Sequence, residues 1–176
     1  LNAKANIIKK NHLKIIKVVD GDGLIVENIF NNQEFEIRFL GIDAPELKPC
    51  RKLTQDERET HLAAQFLMEL GRKSLKYLLE IAPPNTNVSI LIETENEIDL
   101  YGRTLAYVFL EDGSCLNEIM IQEGFAKPYS RYFCNELPKY QMLHLNAKNE
   151  QKGLFAISHN WYSIIVKNVL PMLYLS

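Results

Sequence analysis

Two Ile- and Val-rich runs, Leu13 to Val19 and Leu24 to Phe30, are separated only by Asp20-Gly-Asp-Gly23, so the chain must double back on itself between them. The two glycines admit backbone angles that other residues resist, and the segment reads as a β-hairpin. Asn31-Asn32 signals a second reversal, because Asn tolerates left-handed angles. Phe35, Ile37 and Phe39 then alternate with Glu34, Glu36 and Arg38, the pattern of a half-buried strand. Arg38 is thereby directed away from the core face. Three consecutive antiparallel strands restrict the start of this chain to a meander.

Downstream, Thr54-Gln-Asp-Glu57 matches a capping box, and Leu62, Phe66, Leu67, Leu70, Leu75, Leu78 and Leu79 follow at helical spacing. One long helix is expected, ended by Pro83-Pro84. Val88, Ile90 and Ile92 suggest a fourth strand and Leu105 to Leu110 a fifth. A short helix is expected over roughly Leu116 to Glu123, closed by Gly124, and a final one over Glu136 to Lys152, stopped by Gly153. This order describes an α+β domain whose antiparallel sheet curls into a small barrel. The expected organisation is an N-terminal extension over 1–12, the domain over 13–157, and an apolar C-terminal tail over 158–176 packed on the domain. Tyr162 to Leu175 is interrupted by Lys167, Asn168 and Pro171, short of the ~20 apolar residues that a membrane span needs.

Acidic residues outnumber basic ones by 22 to 20, and a pI near 6.1 supplies no global field for a polyanion. Nucleic-acid binding would need a local basic groove. Cys50, Cys115 and Cys134 are too few for a disulfide framework, and small buried thiols are the expectation. The chain begins at Leu1, and Asn2 to His12 is polar and basic with no signal-type apolar core. Loss of a natural start leans the reading towards a secreted or periplasmic protein whose signal has been removed. No obligate protein partner is evident.

Three separated segments carry groups suited to metal-assisted attack on a phosphodiester. Asp22 at the glycine-flanked bend and Asp43 at a strand end are hard oxygen ligands, and Ca2+ suits them because it accepts carbonyls and water as well as carboxylates. The later ligands of an EF-hand are missing. Glu46, three residues beyond Asp43, can orient or deprotonate water. Arg38 and Arg103 offer planar guanidinium groups that hold two phosphate oxygens at once. Taken singly, each has an ordinary structural explanation: a hairpin turn, a solvated loop acid, a surface ion pair. Their joint occurrence favours catalysis.

The order Asp-Gly-Asp, Arg-x4-Asp-x-Pro-Glu and Asp-x-Tyr-Gly-Arg-x-Leu-Ala-Tyr resembles the thermonuclease, or staphylococcal nuclease-like, family from about Leu13 to Phe155. Asn117-Glu118, Gly124-Phe-Ala-Lys127 and Lys152-Gly-Leu-Phe155 extend the resemblance. It implies a five-stranded OB-type barrel with three helices, and calcium-dependent hydrolysis of DNA and RNA, preferably single-stranded or frayed, leaving 3′-phosphate ends. By the same resemblance Asp22, Asp43 and the Ala44 carbonyl take the calcium-ligand roles and Glu46 activates water. Arg38 and Arg103 clamp the scissile phosphate, Arg103 also helping the departing 5′-oxygen. Asp99 and Tyr101 shape the substrate loop, while Tyr129 or Tyr132 lies against a base. Gly23 stands where the family usually has Thr, and Leu100 where its best-known member has a phosphate-contacting lysine. The segment Leu47 to Thr60 is longer than the compact family loop. The alternative reading is a catalytically weak or silent module that binds nucleic acid or protein; an OB-type binder of oligosaccharide or peptide leaves the paired arginines and acids unexplained.

Overall fold

The computed structural model describes residues 6–158, so the expected packing of the Tyr162 to Leu175 tail lies outside the described residues. Five strands, β1 (Ile7–Asp20), β2 (Gly23–Asn28), β3 (Glu34–Phe39), β5 (Asn87–Glu93) and β6 (Thr104–Leu110), close into a barrel in the order β1, β2, β3, β6, β5. A two-residue ladder joins β4 (Ile42–Asp43) to β7 (Lys127–Pro128). Strand β1 starts at Ile7, before the expected Leu13, and serves two neighbours. Its first half pairs with β5 and its second with β2, with a register break beside His12, where φ is +59°. The bend lets one strand turn the barrel corner.

The expected antiparallel sheet is instead mixed, because β3 pairs in parallel with β6. A sheet of five strands closes only if β3 finds a second neighbour, and the chain returns to it by way of two helices and β5. Ile15, Leu24, Val26, Ile37, Phe39, Ile90, Ala106 and Val108 fill the buried core, together with Leu78 from the long helix and Met120 from the short one. Burial of such side chains stabilises by about 1.5–3 kcal/mol each.

The single helix expected from Thr54 is two helices, α1 (Arg51–Thr60) and α2 (Ala64–Ile81). His61 ends the first with φ +59°, and Glu57 accepts the Ala64 N–H at 2.8 Å, so the presumed capping-box acid caps the second helix instead. The first begins behind Cys50, whose Sγ accepts the Leu53 N–H. Cys50 is therefore exposed at a helix start, against the expectation of buried thiols, whereas Cys134 is buried. The split also makes four α-helices where three were expected, the others being α3 (Leu116–Gln122) and α4 (Leu137–Asn149). α4 stops short of the expected Lys152 at a left-handed Gln151, and Gly153 opens a 3-10 turn over Gly153–Ala156. A second apolar cluster, with Leu53, Leu67, Leu70, Ala147, Leu154 and Phe155, holds α1, α2, α4 and that turn together.

Asn117 locks the helical side to the barrel. Its buried Nδ2 donates to the carbonyls of Leu40 and Ala106 at 3.0 Å each, and its Oδ1 accepts the Val108 N–H at 3.0 Å. Asn117→Leu, which keeps the volume but strands these backbone groups, is expected to cost about 3 kcal/mol in urea denaturation; a loss below about 1 kcal/mol would mean that water replaces the side chain.

His144 is buried edge-on to Phe155, and among the described residues neither ring nitrogen has a hydrogen-bond partner. Burial, aided by the charges of Lys127 and Lys148, pushes its pKa down to about 4. The unfolded chain takes up this proton below about pH 6.5 and the folded chain only near pH 4, so the stabilising contribution is complete above 6.5 and is lost as pH falls to 4. That loss is on the order of 3 kcal/mol. His144→Leu is expected to remove it, flattening this part of the stability profile relative to wild type; parallel profiles would contradict the assignment.

Candidate active site

The β1–β2 turn, the end of β3 and the loop after β4 meet at one end of the barrel. Asp20 pairs with Gly23 across the turn, which places Asp22 at its tip. Neither Gly21 nor Gly23 has the positive φ that the sequence suggested. The requirement is space: a Cβ on Gly21 would lie 2.7 Å from the Cβ atoms of both Ala44 and Ser74, and one on Gly23 2.9 Å from Asp20 Oδ1. The tip can therefore press against the loop that carries Asp43 and Ala44. The Phe39 N–H donates to the Asp22 carbonyl at 2.8 Å, and the Ala44 N–H to Asp22 Oδ2 at 2.6 Å.

Arg38 lies away from the barrel core, as its alternation implied, yet it is only 9% exposed because the acids cover it. Its Nη1 makes a 2.6 Å ion pair with Asp22 Oδ2, and its Nη2 donates to Asp43 Oδ1 at 3.0 Å. Burial works against the Arg38 charge, but Asp22 and Asp43 overcome it and the guanidinium pKa rises. Asp43, 1% exposed, is held by pairing of β4 with β7. Burial alone would raise its pKa; Lys52, Lys127 and Arg38 reverse this, so the carboxyl stays below the usual range.

Three residues absent from the expected set complete the cluster. Lys52, in the first turn of α1, brings Nζ to 2.8 Å from Asp43 Oδ1, 2.8 Å from Glu46 Oε1 and 3.3 Å from the Ala44 carbonyl. Lys127 places Nζ 3.7 Å from Asp43 Oδ2. Asp20 accepts the Asp22 N–H, and burial together with the Asp22 charge pushes its pKa up to about 7. No spacing rule selects these: Lys48, Arg51 and Lys52 lie within one short run, and only the start of α1 determines which of them faces inward.

Behind Glu46, α2 comes very close. A Cβ at Gly71 would lie 2.6 Å from the Glu46 carbonyl oxygen and 2.8 Å from that of Pro45. The helix backbone thus braces the loop that carries Glu46.

Across a cleft of about 1820 Å³, the turn before β6 presents the other motif. Asp99 Oδ1 accepts the N–H groups of Tyr101 and Arg103 at 2.9 Å each, while Oδ2 accepts Arg103 Nε at 2.7 Å. Gly102, at φ +81°, allows the tight reversal between them. The Arg103 guanidinium lies 5.6 Å from the Tyr101 ring centroid, and the Tyr101 ring is 82% exposed. Tyr129 packs over Arg38 at 5.7 Å, with its N–H donated to the Gly41 carbonyl. Tyr132 Oη accepts the Leu100 N–H at 3.3 Å, tying its segment to the Asp99 turn. Asp22, Arg38, Asp43 and Glu46 therefore share one cleft wall with the Ala44 carbonyl behind them, and Asp99, Tyr101, Arg103, Tyr129 and Tyr132 line the same cleft.

Among the described residues no three His, Cys, Asp or Glu side chains are grouped to hold a metal ion by themselves. What converges is two carboxylates, Asp43 and Glu46, and one carbonyl, Ala44, around the Lys52 ammonium, with Asp22 held to one side by Arg38 and the Ala44 N–H. An all-oxygen set that already encloses a cation suits the donor preference of calcium, whose remaining positions accept water.

A profile of the family described as staphylococcal nuclease homologue matches residues 36–156. An uncharacterized protein of Methanocaldococcus jannaschii is 33% identical over 159 residues, covering 84% of this chain and 72% of the relative. An endonuclease of Bacillus subtilis is 29% identical over 142 residues, which are 79% of this chain and 11% of that protein. A thermonuclease of Staphylococcus hyicus is 30% identical over 122 residues, 65% of this chain and 57% of the relative.

Proposed function

Because the chain belongs to the staphylococcal nuclease homologue family, we propose that it is a calcium-dependent phosphodiesterase that cleaves DNA and RNA with little sequence preference and leaves 3′-phosphate ends. At the coarser level it is a nuclease-type hydrolase with nucleic acid as its substrate, and no described helix is long and apolar enough to cross a membrane. The observation that carries the finer reading is the convergence of Asp43, Ala44 and Glu46 oxygens beside a buried arginine, in a cleft that Arg103 also lines.

Asp22, Asp43 and the Ala44 carbonyl would hold the calcium ion, which when bound lends positive charge to a phosphate oxygen. Arg38 has five N–H donors, and those not turned to Asp22 and Asp43 are available to a phosphate in the cleft. Arg103, oriented by two oxygens of Asp99, supplies a second guanidinium and stabilises the departing 5′-oxygen as the bond to phosphorus breaks. Glu46 accepts the proton of the attacking water. The exposed Tyr101 ring and Tyr129 offer faces to unpaired bases, which favours single-stranded or frayed substrate; such stacking is worth about 1–3 kcal/mol per base and reads no sequence.

The test is cleavage of single-stranded and duplex DNA and RNA in calcium, magnesium or chelator, with identification of the product ends. Calcium is expected to support cleavage to 3′-phosphate and 5′-hydroxyl ends, magnesium to support it poorly, and chelator to abolish it. Glu46→Gln should slow turnover by about 10²–10⁴-fold with the fold intact. Full activity in chelator, or a wild-type rate in that variant, would contradict this chemistry; tight binding without turnover in any metal would favour a binding module.

A further inference from the structure

The Lys52 ammonium is built into the acidic cluster rather than resting at its rim. It has three N–H donors and three oxygens around it: Asp43 Oδ1 and Glu46 Oε1 at 2.8 Å and the Ala44 carbonyl at 3.3 Å. Each of the acids Asp22, Asp43 and Glu46 already has a cationic partner among Arg38, Lys52 and Lys127. The side chain is anchored at its base, since the next residue, Leu53, is buried in the α1–α2 cluster and its N–H is capped by Cys50. Its side chain is 30% exposed and lines the cleft, so a change of rotamer can carry the ammonium out.

We propose that Lys52 is a tethered internal cation that competes with the divalent ion for the oxygens of Asp43 and Ala44 while also occupying Glu46, so that metal loading requires the lysine to swing out of the cluster. The inference rests on the calcium reading above. Calcium binds oxygen at about 2.3–2.6 Å, and an ammonium at hydrogen-bond distance from two of the proposed ligand oxygens, those of Asp43 and Ala44, leaves no room for it. The two cations also repel, and a buried site cannot hold both excess charges without raising the cost of each. Because Lys52 is covalently attached, its effective concentration at the site far exceeds that of a free amine, so the competition persists at any protein dilution. Lys52 then sets the calcium concentration at which the site fills and keeps the acids neutralised when calcium is scarce.

The experiment is isothermal titration of calcium into chelator-stripped wild type, Lys52→Met and Lys52→Gln at constant ionic strength, with thermal melts of each protein in chelator and in calcium. Both variants are expected to bind calcium at least tenfold more tightly than wild type. In chelator they should melt at lower temperature than wild type, with saturating calcium narrowing the gap. Should a variant be unfolded in chelator, calcium titration must restore its circular dichroism. Saturable binding with unchanged or weaker affinity in the variants, or no recovery by calcium, overturns the role of Lys52 while leaving the calcium reading intact. Absence of calcium binding to all three proteins overturns both.

Discussion

Carboxylates forced together out of water repel one another, and the end of this barrel is organised around answering that repulsion. Asp22 and Asp43 come from elements about twenty residues apart in sequence, and Arg38 lies between them with one nitrogen on each. The guanidinium can sit there only because β3 runs beside β2 in a register that sets Arg38 opposite Gly23. Lys52 from α1 and Lys127 from β7 add two further positive groups. Buried ion clusters contribute little net stability, because the desolvation they require offsets their attraction. Their presence at the mouth of a wide cleft is better explained by chemistry on a charged substrate than by fold stability.

The barrel was readable in the sequence where side-chain alternation and turn chemistry coincide. β2 and β3 match their apolar runs, and Asn32 takes the left-handed angle that the Asn pair announced. The parallel contact between β3 and β6 was not readable, since nothing local marks which distant strand will close a barrel. Thr54 to Leu79 misled because its apolar spacing continues across the break at His61. There the decisive event is one left-handed residue and a Glu57 carboxylate that turns to the next helix. At Gly21 the requirement is not backbone freedom but the absence of a side chain against Ala44 and Ser74, which no local pattern announces.

For the site, motif order identified one constellation around Asp22, Arg38, Asp43 and Glu46, and a second around Asp99 and Arg103 four residues apart. The second could be read locally because Asp99 folds its own turn onto Arg103. The first needed the tertiary fold to reveal Lys52, Lys127 and Asp20, each of which is an unremarkable charged residue in sequence. Tyr132 showed a different limit: its hydroxyl serves the backbone of the Asp99 turn, a structural duty that an aromatic residue near a cleft does not advertise.

The close approach of α2 to the loop after β4 gives the molecule a rear adjustment. Gly71 leaves no gap behind the peptide units of Pro45 and Glu46, so even a methyl group there acts as a wedge between helix and loop. Its thickness would be transmitted forward to the Glu46 carboxyl, while every ionised group kept its identity. Residue size at position 71 thus works as a set-screw on the alignment of the cleft, turned from the opposite side of the wall.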